Sequence, residues 1–344
     1  MFKIKLFERI EERQMTRPIL FLNTFEKSAL FIALFFFFQG CQVADQNEAE
    51  IAALPVTVSL DRFDLKFYNQ KPEVIPELKA RYPYLFPKQF SDSVWIARQK
   101  DSLQLLLQKA VQEVFEDTTP LEETLSHLFK HLSFHFPQIK IPQIVTLTNN
   151  VDYQIKTVYS DSLVLLSLDT FLGADHELYE GIPSYIRKEL DQKFIPSQLV
   201  EKFGAFVIPP PEDRTFLGQM LYEGKLLYLQ DLVLPHDSET TKIAYTEEEL
   251  NWVKDNELYI WQYFVERQVL YKTEPEWVQR FLEPAPFSKF YLQLDNESPG
   301  RVGRWIGWQI VRSFVNQNPE ITTEELLKMP AQKVFNLSKY KPKR

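Results

Sequence analysis

A chain of 344 residues that is 44% hydrophobic and 14% aromatic can bury one large core or two smaller ones. Its net charge of −8, with no long block of like charges, excludes the basic stripe of a nucleic-acid surface. The single cysteine, Cys41, excludes an internal disulfide framework.

Residues 29–38 read ALFIALFFFF. The run is about half the roughly 20 residues that a transmembrane helix needs. It fits the h-region of a signal peptide, with Arg17 and Lys27 ahead of it. FQGCQ follows, and a small residue before a cysteine at that place resembles the lipobox of bacterial lipoproteins. The expected organisation is a lipoprotein signal peptide over 1–40, a lipidated Cys41 with a polar tether over 41–55, and one folded domain over 56–344.

PVTVSLDRFDLKFY (55–68) alternates and is rich in β-branched residues, which predicts a strand. Pro72 opens a short helix that ends before Pro83, and Ser91 and Asp92 offer caps for the next, through Trp95. Helices are predicted over 101–116 and 120–134. Three strands follow at 142–149, 153–159 and 163–169, the last two joined by a tight turn at Asp161-Ser162. The chain then returns to helices. One spans about 212–232; one runs from the capping box Thr246-x-x-Glu249 to about Tyr271. Another starts at Ser298-Pro299 and reaches about Val315, and Thr322-x-x-Glu325 caps the last. The fold class is α+β and predominantly helical, with a small sheet in the N-terminal half and a helical C-terminal half.

Catalytic signatures are weak. His127, His131 and His135 recur at i, i+4 and i+8 in HLFKHLSFH, and the first two have zinc-binding spacing. The glutamate that should follow the first histidine of a zinc hydrolase is replaced by Leu128. There is no G-x-S-x-G, phosphate loop or dinucleotide fingerprint. No catalytic residue, metal ligand or cofactor is therefore assigned.

MLYEGKLLYL (220–229) is more informative. It has the spacing of a buried helix, yet Glu223, Gly224 and Lys225 sit in its middle and Asp231 follows. A mid-helix glycine costs roughly 1 kcal/mol relative to alanine, and a buried charge needs a partner. SPGRVGRWIGWQIVRSF (298–314) supplies Arg301, Arg304 and Arg312, while Gly303 and Gly307 offer a groove where another backbone can approach. These arginines are available to Glu223 or to Glu257, which interrupts the preceding helix. The candidate site is thus Glu223, Lys225, Glu257, Arg301, Arg304, Arg312, Gly303 and Gly307. It is either a buried ion-pair network or a ligand pocket. Trp252, Trp261, Trp305 and Trp308 are candidates for the walls of a cleft, or for the core.

NELYIWQYF (256–264) and SPGRVGRWIGWQIVRSF, with RYPYLFP (81–87), DSVW (92–95), LDTFLG (168–173) and GKLLYLQDLVLP (224–235), resemble the gliding-motility lipoprotein family GldB of the Bacteroidota. The likeness spans about 55–330. It implies a lipoprotein of the cell envelope, anchored to membrane lipid through Cys41 and facing the periplasm. It further implies a need for the protein in gliding and its linked type IX secretion apparatus, with other envelope proteins as partners and no nucleic acid. That family is similar to predicted zinc-dependent peptidases in which an H-E-x-x-H helix precedes a helix bearing E-G. Glu223-Gly224 matches the second part, but SQLVEKF (197–203), where the first part should lie, has Glu201 and no histidine. The resemblance therefore implies a zincin-like scaffold without its metal, with Glu223 held by Lys or Arg, and a non-catalytic role through protein partners. The alternatives are a hydrolase using His127 and His131, and a small-molecule-binding lipoprotein.

Overall fold

In the computed structural model, residues 47–68, 71–293 and 295–343 are described. The proposed signal peptide and Cys41 lie outside them. The chain divides into two compact units, before and after the junction of Ala53 and Leu54. Of the first unit, residues 47–53 are described and are helical.

Four short strands form a mixed sheet in the order β1-β2-β4-β3. Strands β1 (Leu60–Asp61), β2 (Gln143–Leu147) and β4 (Leu163–Ser167) are parallel, with Leu60 opposite Ile144 and Val145 opposite Leu165. Strand β3 (Thr157–Tyr159) pairs antiparallel with β4. The β3–β4 turn falls at Asp161-Ser162, where the Ser160 amide donates to Leu163 O at 2.8 Å. This edge is the one expected from the sequence.

The remainder is helical. Helices α1 (Phe63–Tyr68), α2 (Ile75–Arg81), α3 (Asp92–Lys100), α4 (Ser102–Val114) and α5 (Thr119–His135) precede β2. After β4 come α6 (Ser184–Arg187), α7 (Ile195–Val207) and α8 (Phe216–Val233). Then α9 (Glu239–Ile243), α10 (Glu247–Asp255), α11 (Glu257–Glu266), α12 (Pro275–Phe281), α13 (Val302–Gln317), α14 (Thr323–Lys328) and α15 (Ala331–Ser338) complete the fold. Among the described residues no helix is long and apolar enough to cross a membrane.

Three predicted elements are corrected. The strand expected over 55–68 is reduced to Leu60–Asp61, and Phe63 opens a helix. Phe63 and Phe67 are four residues apart, so a helix sets both rings on one face. There they join Ile75, Leu78, Tyr82 and Phe86 in an aromatic cluster under the sheet. The long helix expected from Thr246 breaks at Asn256, whose side-chain amide donates to Trp252 O at 2.9 Å and competes with the backbone ladder. The helix expected from Ser298 starts only at Val302. Ser298 Oγ donates to Asp295 O, Gly300 O accepts the Tyr245 hydroxyl, and Arg301 sits at φ 63°. The two capping boxes, at Thr246 and Thr322, form as read.

Helix α8 is the axis of the fold. Leu226, Leu229 and Val233 enter a core shared with the sheet, α4, α5 and α7. Phe216, Met220, Leu221 and Leu227 enter a second core with α10–α13. A helix apolar on every side is what burial between two cores requires. Along it lies α13, close enough that a Cβ on Gly224 would stand 2.4 Å from Gly307 C and O. A Cβ on Gly307 would stand 2.1 Å from Met220 O. Only glycine fits either place, because the obstacle is backbone.

Gly307→Ala is therefore expected to cost about 3 kcal/mol in urea unfolding, as overpacking against backbone. Gly204→Ala, whose new methyl would meet the flexible ends of Leu226 and Leu229, is expected to cost about 1 kcal/mol. Equal costs would contradict the backbone contact.

Candidate functional site

The α8–α13 contact brings charges together on one side. Arg304, three residues before Gly307, is 6% exposed and lies between two carboxylates. It pairs with Glu201 of α7 and with Glu223 of α8, the latter at 3.0 Å. Arg301, at the turn before α13, pairs with Glu189 at 2.7 Å and donates to Ala244 O. Lys156 reaches Glu189 at 3.4 Å. Three carboxylates thus face three cations. Glu189, Glu201 and Lys156 also line a cleft of about 320 Å³, with Tyr153, Gln198 and Lys202.

The carboxylates differ electrically. Burial pushes Glu223 above the usual carboxylate range, against the pull of Arg304, and the charge of Glu201 adds to the rise. Burial also pushes Glu189 up, but Arg301, Lys156 and Arg304 overcome it and hold its carboxyl below the usual value. Burial disfavours the Arg304 charge, yet Glu201 and Glu223 raise its pKa further, so it stays a cation.

Only part of the predicted site lies here. Glu223, Arg304 and Arg301 do. Arg312 belongs to a second network. It grips Asp231 with Nε at 2.7 Å and Nη2 at 2.9 Å, pairs with Glu239 at 2.5 Å, and stacks 3.7 Å from the centre of the Trp308 ring. Lys225 meets no carboxylate; its ammonium donates to Leu327 O at 2.9 Å and Met329 O at 2.7 Å. Burial lowers its pKa to about 8. Glu257 meets no arginine. It accepts from Trp305 Nε1, the Tyr340 hydroxyl and the Lys343 amide, and so fastens the C-terminal residues. Gly303 faces Phe281 O and the side chains of Leu282 and Phe216, and Gly307 faces α8. The grouping of all eight residues is corrected on this basis: buried polar groups take the nearest partner, which for Lys225 and Glu257 is the C-terminal chain.

Trp305 and Trp308 are core, packed edge to face with ring centres 5.8 Å apart. Trp252 and Trp261 are partly buried against that core. His127 is exposed on α5, His131 buried and His135 half-buried. Among the described residues no three His, Cys, Asp or Glu side chains converge as a metal-binding group. Sequence reasoning missed Glu189 and Lys156, which stand in ordinary mixed-charge stretches with no periodic signal.

Arg304→Met leaves Glu223 beside Glu201 without the guanidinium, which is expected to cost about 3–5 kcal/mol near neutral pH. Glu223 already titrates above its ordinary value, and loss of Arg304 moves it higher. A carboxyl raised in the folded state takes up its proton before the unfolded chain does, so the deficit shrinks as pH falls through that raised value. Urea unfolding at about pH 5 and about pH 8 checks this, and a deficit that grows at the lower pH would contradict it.

No curated protein and no solved structure matches the chain. The family model of gliding motility protein GldB matches residues 44–342. With nearly the whole of its length matched, the chain belongs to the GldB family of gliding motility proteins.

Proposed function

We propose that the protein is a lipid-anchored, non-catalytic lipoprotein of the cell envelope that serves gliding motility by binding partner proteins. Cys41 carries the lipid, and the folded unit faces the periplasm. The helical half is the retained scaffold of a metallopeptidase, and the partners belong to the motility machinery and its linked type IX secretion apparatus.

One observation carries the non-catalytic reading. The guanidinium of Arg304 stands between Glu201 and Glu223, the two carboxylates of the helices where a zincin would keep its ligands and general base. A general base must be free to take a proton, and a metal ligand must offer its lone pairs. Here one fixed, always-charged group is engaged by both carboxylates. The arrangement supports a structural role, holding α7, α8 and α13 in one packing.

Complementation of a non-gliding deletion strain tests the reading. The triple variant Glu201→Gln, Glu223→Gln, Arg304→Met swaps the ion pairs for neutral side chains of similar size. It is expected to keep colony spreading, because such a replacement is often close to neutral for stability. Cys41→Ser is expected to abolish spreading. A triple variant present at normal abundance that cannot spread, or a Cys41→Ser variant that spreads normally, would overturn the proposal.

A further inference from the structure

A second cavity, of about 340 Å³, lies away from the Arg304 cluster, beyond the C-terminal end of β2. In parallel sheets this is the edge at which ligands bind. Its walls are aromatic: Phe67, Tyr68, Phe86 and Trp95, with Phe86 and Trp95 in edge-to-face contact at 4.8 Å. Phe90, 43% exposed, continues the apolar surface next to Trp95, its ring centre 6.1 Å away.

Tyr68, Thr148 and Asn149 in the cavity wall are already hydrogen-bonded, which leaves Arg98 as the cation of the wall. Arg98 has no carboxylate partner among the described residues; it makes one long contact, 3.5 Å, to Thr148 O. Asn150, exposed at the rim, accepts from Gln104 through Oδ1. The one acid in the wall, Asp64, is already bound by Arg62 through both oxygens, at 2.9 and 2.7 Å.

The rim is also built under strain. Asn150 and Val151 have φ of 66° and 55°. For a β-branched residue this conformation is an outlier, costing on the order of 1–3 kcal/mol. A buried carboxylate holds them there: Asp169 accepts the Asn149 amide at 3.0 Å on each oxygen and the Val151 amide at 2.9 Å. Strain fixed by a dedicated buried acid is a mark of a positioned site.

We propose that this cavity binds a ligand with a ring-sized apolar body and a single carboxylate, the body against Phe67, Phe86 and Trp95 and the carboxylate on Arg98. A carboxylate fits better than a phosphate, because one guanidinium cannot neutralise a dianion among apolar walls. The source is either a free acid or the C-terminal residue of a peptide, which share this chemistry. The site is independent of the Arg304 cluster and of the partner-binding role.

Isothermal titration of the full-length chain in detergent separates the outcomes. The probes are N-acetylphenylalanine, its uncharged amide, and a pentapeptide ending in phenylalanine with a free or an amidated terminus. Both acids are expected to bind at least about tenfold more tightly than the matching amides. Arg98→Gln removes that difference, and Trp95→Phe, which trims the indole wall to a phenyl ring, weakens acids and amides alike several-fold. Both variants should melt at the wild-type temperature. A peptide acid that outbinds the free acid identifies a peptide terminus as the source; equal binding identifies a small acid. No saturable binding by any probe up to about 10 mM, or acids and amides bound alike, would overturn the proposal.

Discussion

The contact between Gly224 and Gly307 is the constraint on which the rest depends. It lets two buried helices lie backbone to backbone, which no side chain at either position would allow. Contact order along the pair sets their direction. Glu223 meets Arg304, Gly224 meets Gly307, and Asp231 meets Arg312, so α8 and α13 run in parallel. Eight residues separate the two acids and eight the two arginines, about 12 Å of helix in each case. The glycine crossing thus aligns two ion pairs two turns apart.

This alignment explains charges inside an apolar helix. Each charge of α8 is partnered: Glu223 by Arg304, Lys225 by two C-terminal carbonyls, Asp231 by Arg312 and Lys242. Such pairs add little net stability over a well-packed apolar core, since desolvation offsets most of the attraction. What they add is selectivity among packings. A slip of α13 by one turn would part Arg304 from Glu223 and Arg312 from Asp231, with the greatest loss at Arg304, the most buried of the four.

Much of this was legible in the sequence where the signal is local. Thr246 and Thr322 announce their helices because a capping box is a four-residue device. Glu223-Gly224 and Gly307 announce a close approach because glycine and charge are both costly in a buried helix. Non-local choices were not legible. The 55–68 alternation fails because Phe63 and Phe67 find an aromatic cluster completed by residues 75–86, which local alternation does not reveal. Glu257 was grouped with arginines because the sequence cannot say that Tyr340 and Lys343 return to it. Glu189, Lys156 and the Arg98 cavity join residues far apart in the chain, with nothing periodic to mark them.

The functional picture follows from which groups are satisfied. At the cluster, the acids that could serve catalysis are matched by cations in a cleft wall; at the aromatic cavity, Arg98 has no carboxylate partner among the described residues. On the proposed reading the first is a scaffold and the second a receptor. The central claim, that Arg304 and not a metal ion engages Glu201 and Glu223, is tested most directly by elemental mass spectrometry of the purified, untagged full-length chain. Metal content below about one equivalent per ten chains is expected. Zinc near one per chain, retained through dialysis and lost in Glu223→Gln, would contradict it.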